Sequence, residues 1–122
     1  MIKIMKYIKL KNILNIISKE LTIALNEIND ITVTNLGIAW ENRVDDGKAF
    51  LSNNLKNEVT SFFGNVDIKN TVIDLGNDLY GTKLNSINEI LNTNIDKRDK
   101  INILGFLIEN NINETINEYI GA

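Results

Sequence analysis

The residues best suited to chemistry lie between Thr71 and Lys83. Gly76, Gly81, Thr82 and Lys83 come close to a phosphate-binding P-loop, and the β-branched Thr71, Val72 and Ile73 precede them. A P-loop places its lysine directly after the second glycine and a hydroxyl after that, so that the amine reaches the phosphates and the hydroxyl the Mg²⁺. Here the hydroxyl and the amine are transposed, and no parallel-sheet pattern surrounds them. A loop bracketed by the two glycines, with Thr82 capping the next helix, explains the same residues. Three carboxylate pairs follow a similar logic: Asp45 with Asp46, Asp74 with Asp78, and Asp96 with Asp99. None has the spaced ligands and distal Glu of a calcium loop. Acid/base work by two carboxylates would further need a cleft that pushes their pKa values apart. Helix caps and solvated turns account for all three pairs.

The chain has no histidine and no cysteine. It therefore lacks the commonest general base at neutral pH, the usual zinc ligands and any thiol nucleophile. The expectation is a protein that is not an enzyme, needs no cofactor or metal, and works by binding. At 122 residues, with a hydrophobic fraction of 43 % and a net charge of −3, it reads as one domain spanning 1–122 with a real core. Disorder is disfavoured by that composition. No apolar run approaches the roughly 18 residues of a membrane span, and Lys and Asn interrupt the first residues too often for a secretory signal.

The elements that must position any site are helical by their spacing. Leu10, Leu14, Ile17, Leu21, Ala24 and Ile28 recur at intervals of four and three, with Ile13 and Leu25 beside them, which predicts a helix over 9–29. Ile2, Ile4, Ile8 and Leu10 fall on even positions, so a short strand before that helix is an alternative. Thr32, Val33, Thr34, Ile38 and Trp40, with Gly37 among them, suggest a small β-hairpin near 31–44. Asp45, Asp46 and Gly47 then break the chain. A second helix carries Leu51, Leu55, Val59 and Phe62, with Gly64 at its C-terminal cap. Helices also follow over Leu84, Ile87, Ile90 and Leu91; from an Asp96 cap through Ile101, Leu104, Leu107 and Ile108; and over Ile112, Ile116, Tyr119 and Ile120. The predicted fold class is mainly α, a compact domain of five or six helices with at most that hairpin. Its core should include Leu14, Ile17, Leu21, Leu25, Leu51, Leu55, Phe62, Leu104 and Ile108.

Charge is unevenly distributed. Lys3, Lys6, Lys9 and Lys11 crowd the amino end; without arginine, on a chain of pI ≈ 4.9, they make a poor phosphate-tracking surface. A membrane-surface helix there would lack a Trp or Phe at its boundary. Beyond residue 30 the chain carries 8 positive and 13 negative charges, and after Lys100 every charge is negative: Glu109, Glu114 and Glu118. Acidic surfaces steer association with basic proteins. The candidate partner-binding residues are therefore Asp45, Asp46, Glu109, Glu114 and Glu118. Trp40, the one tryptophan, joins them as an interface anchor, with core packing as its alternative role.

In size, acidity and Asn/Ile-rich composition the whole chain resembles bacterial toxin-immunity proteins, including those of contact-dependent growth inhibition systems. The resemblance implies a cytoplasmic protein that binds a cognate nuclease toxin and blocks its active site or substrate groove, without touching nucleic acid itself. Phage-encoded anti-defence proteins share the same look. A nucleotide-binding regulator built on the loop from Gly76 to Lys83 is the competing class.

Overall fold

The computed structural model describes residues 2–50 and 55–121. Among them the chain forms six α-helices and no strand: α1 (Ile2–Asn26), α2 (Val33–Asp45), α3 (Leu55–Phe63), α4 (Ile68–Leu91), α5 (Lys97–Asn110) and α6 (Ile112–Ile120). A single 3-10 turn, Lys48–Phe50, follows α2. None of these helices is long and apolar enough to cross a membrane.

α1 is the axis of the domain and packs against all five other α-helices. Its stripe of Leu10, Ile13, Leu14, Ile17, Leu21, Ala24 and Leu25 is fully buried, as the four-three spacing requires. Of the residues expected in the core, Leu55, Leu104 and Ile108 are buried as well, Phe62 is half-buried, and Leu51 lies outside the described residues. The helix starts at Ile2, so the even-numbered isoleucines do not form a strand. Leu21→Ala should lower stability by about 2–5 kcal/mol, since the cavity opens where α1 meets its neighbours. Urea denaturation checks this; a midpoint like that of the wild type would mean the stripe is not the core.

Two expectations are corrected. Residues 31–44 hold no hairpin. Thr32 is instead the N-cap of α2, its Oγ1 accepting a hydrogen bond from the Asn35 amide at 3.0 Å. Leu36, Trp40 and Val44 then fall one turn apart on the buried side. The local preference of Ile31, Thr32, Val33 and Thr34 for strand yields to that helical stripe, a common outcome where packing decides. Residues 76–83 are not a loop either, because α4 runs unbroken through both glycines, and Thr82 caps nothing. With those amides inside a helix there is no backbone cradle for a phosphate, and the nucleotide-binding reading loses its basis.

The helix boundaries follow ordinary rules. Gly47 (φ 74°) and Gly64 (φ 81°) occupy left-handed backbone after α2 and α3, a conformation open to glycine at no steric cost. Asp67 caps α4 through its Oδ1 and the Asn70 amide at 3.2 Å. Asp96 sits at the N-cap position of α5 but makes no capping hydrogen bond from its side chain. Only Asn111 separates α5 from α6; its buried side-chain amide donates to the Leu79 carbonyl at 2.8 Å and so fixes the bend against α4.

Candidate functional site

Where α6 packs against α4, the carboxylates of Asp74, Asp78 and Glu118 come close to the Tyr119 hydroxyl. Asp74 and Asp78 lie one turn apart on α4, and Glu114 and Glu118 one turn apart on α6. The Tyr119 hydroxyl joins the two helices by donating to Asp78 Oδ2 at 2.5 Å. Burial raises the Tyr119 pKa well above the ordinary phenol value, and the hydrogen bond to Asp78 with the charges of Asp78, Asp74 and Glu118 raises it further. The phenol therefore stays protonated at neutral pH and remains a donor. Phe63 backs it in an edge-to-face contact, ring centroids 6.0 Å apart. Lys83 Nζ lies 3.0 Å from Glu114 Oε1 and offsets one of the four charges. Beside the cluster, Lys3, Lys6, Phe62, Phe63, Tyr119 and Ile120 line an open cavity of about 530 Å³.

The remaining sequence candidates go elsewhere. Asp45 and Asp46, at the end of α2, each face a lysine: Lys69 Nζ is 2.6 Å from Asp45 Oδ1, and Lys48 Nζ is 3.9 Å from Asp46 Oδ2. The Asp45 contact raises the Lys69 pKa, by hydrogen bonding first and then by charge. Glu109 belongs to α5 and borders a groove between α1 and α5, along with Lys19 and Phe106. Five residues before Glu114 and nine before Glu118, it would face away from them even on one continuous helix. Trp40 is not an exposed anchor. Its side chain is fully buried, its Nε1 donates to the Ile73 carbonyl at 3.2 Å, and its indole lies on Gly76 of α4. Asp96 and Asp99 are exposed at the start of α5.

One charged group escaped the sequence reading. Glu20 on α1 is buried, and Arg43 on α2 reaches it with Nε at 2.8 Å and Nη2 at 2.5 Å from Oε2. Arg43 Nη1 also lies 3.3 Å from Glu27 Oε1, so one guanidinium bridges Glu20 of α1 and Glu27, the residue just past the end of that helix. The seven-residue spacing of Glu20 and Glu27, at the edge of the α1 stripe, was the available signal. This group ties α1 to α2.

Besides Tyr119 and Lys69, Tyr80 is shifted, upward, by burial and then by the charge of Glu41. All three shifts lead away from neutral pH. Among the described residues no group of three or more acidic, His or Cys side chains is arranged to hold a metal ion. No protein-family model, curated protein or solved structure matches this chain.

Proposed function

We propose that this chain is an immunity-type inhibitor that neutralises a basic nuclease toxin by covering its active site or substrate groove with the α4–α6 face. The observation that carries the reading is the grouping of Asp74, Asp78 and Glu118 around the Tyr119 hydroxyl. A nuclease must hold a polyanion, so its groove presents lysines and arginines that neutralise phosphates. Carboxylates one helical turn apart, with about 5–6 Å between Cβ atoms, offer such a groove an anionic row on a rigid support. Tyr119, bonded across the two helices, fixes that row before binding and so limits the ordering cost. The protein would act in the cytoplasm, where such a toxin meets its substrate. The same face would serve a phage anti-defence protein directed at a nucleic-acid enzyme, and the partner's identity separates the two.

Partner capture from the source cell, followed by titration with the purified partner, tests the proposal. The double variant Asp74→Lys/Glu118→Lys changes two exposed side chains and spares the Asp78 bond. It should lose several kcal/mol of affinity, because like charges would then face each other. Asp45→Lys/Asp46→Lys should bind nearly as the wild type does. Equal affinities in all three proteins would exclude the α4–α6 face.

A further inference from the structure

The start of α1, from Lys3 to Lys9, breaks two local rules at once. Ile4, Met5 and Ile8 are 60 %, 62 % and 53 % exposed, whereas Leu10 and every later residue of the α1 stripe as far as Leu25 are fully buried. At 100° per residue the three occupy an arc of about 100°, centred opposite Leu10 and Ile17. The apolar face of α1 therefore switches sides between Ile8 and Leu10. Lys11 borders the exposed arc on one side and Lys9 on the other. The first turn of this helix also has no acidic residue, and lysines crowd the end where the helix dipole disfavours cations. Leaving Ile4, Met5 and Ile8 in water does not help the fold, and departures of that kind mark function.

Charge selects the kind of partner. Five lysines (Lys3, Lys6, Lys9, Lys11 and Lys19) precede Glu20, and all 16 acidic residues lie at or after it. The helix is held in place there by the Tyr7 hydroxyl, which donates to Asn113 Oδ1 of α6 at 2.8 Å; within α1, Lys11 Nζ stands 5.9 Å from the Tyr7 ring centroid. Further along the same side, Lys19 and the 65 % exposed Phe106 of α5 line the α1–α5 groove, with Glu109 as the carboxylate on it.

We propose that this face, formed by Ile4, Met5 and Ile8 between Lys9 and Lys11, docks on an anionic lipid bilayer surface. Isoleucine and methionine enter the boundary between headgroups and acyl chains, while lysine stems lie along it with their amines at the phosphates. Lysine without arginine, and an exposed arc of Ile4, Met5 and Ile8 with no aromatic ring in it (Tyr7 being bonded to α6), suit a charged membrane better than a nucleic acid. Two copies of this face meeting each other would set Lys9 and Lys11 against their own kind. The inference concerns a different face from α4–α6 and does not rest on the toxin reading.

The test is co-sedimentation of the full chain with vesicles of phosphatidylcholine alone or mixed with phosphatidylglycerol, at low and high salt. Binding should require phosphatidylglycerol and fall as salt rises. Lys9→Gln/Lys11→Gln should weaken it about fivefold per lysine, and Ile4→Gln/Met5→Gln/Ile8→Gln should abolish it. All five side chains are exposed, so circular dichroism and thermal midpoint should stay those of the wild type. The proposal is overturned by absence of binding to the mixed vesicles, by equal binding to both kinds, or by full binding of the triple glutamine variant. It is equally overturned if light scattering shows a vesicle-free dimer that the triple variant dissolves, since the occupant would then be a second copy.

Discussion

Arg43→Ala is expected to lower the stability of the fold by about 3–5 kcal/mol, far more than an exposed ion pair would cost when lost. The Glu20 and Arg43 side chains are only 6 % and 10 % exposed, and Nε and Nη2 of Arg43 converge on a single carboxylate oxygen. Removing the guanidinium takes away the cation that offsets the desolvation of the Glu20 carboxylate. Arg43→Lys should recover only part of the loss, because an ammonium cannot reproduce the paired N–H geometry or reach Glu27 as well. Replacing both partners, as in Glu20→Leu/Arg43→Met, should restore most of the stability, since an apolar pair of similar volume needs no compensation. Urea melts with an unchanged denaturant slope would report this directly. A variant Arg43→Ala within about 0.5 kcal/mol of the wild type would mean that the pair does not hold α1 to α2.

Trp40→Ala should cost a similar amount, about 3–5 kcal/mol, and its dependence on Gly76 gives the sharper test. A Cβ at Gly76 would overlap the indole Nε1 and Cε2 atoms and lie 2.6 Å from Cζ2. Glycine to alanine inside a helix normally gains about 1 kcal/mol. Here the indole is hydrogen-bonded to the Ile73 carbonyl and cannot retreat freely, so Gly76→Ala should instead cost about 1–3 kcal/mol. Gly81, five residues on in the same helix, has nothing within 4 Å of such a Cβ, and Gly81→Ala should be stabilising by about 0.5–1 kcal/mol. In the Trp40→Ala background the sign at Gly76 should reverse, because the space is then empty and the two sites are coupled. A stabilising Gly76→Ala in the wild type would show that the indole does not rest on α4.

Those two glycines also show where the sequence could be read and where it could not. As punctuation, Gly47 was legible from the Asp45 and Asp46 before it and Gly64 from the apolar stripe it ends, and both take a left-handed turn. Gly76 and Gly81 look the same in the sequence, yet Gly76 answers a tryptophan on a different helix. Nothing near Gly76 in the chain announces that. The hairpin expectation failed for a related reason: the β-branched run from Ile31 to Thr34 speaks for strand locally, whereas Leu36, Trp40 and Val44 are placed by what they pack against. The α1, α5 and α6 stripes were legible because their apolar residues repeat every three or four positions.

The acidic face was legible only by halves. Glu114 and Glu118 follow from their spacing on α6, whereas Asp74 and Asp78 stand out as a pair but share a helical face only because α4 runs through the stretch that reads as a loop. That they share one surface depends on the contact between Tyr119 and Asp78, 41 residues apart in the chain. Glu109 carries the same charge but stands on α5, at a spacing of five and nine residues that does not share the face of Glu114 and Glu118.

The most direct measurement of the proposed function is the association rate with the captured basic partner across a series of salt concentrations. Exposed charges are screened over about 8–10 Å near physiological ionic strength, so steering by the α4–α6 carboxylates should make the on-rate fall steeply with salt while the off-rate changes little. Asp74→Lys/Glu118→Lys should flatten that dependence. An on-rate indifferent to salt, and the same in both proteins, would contradict recognition through the acidic face.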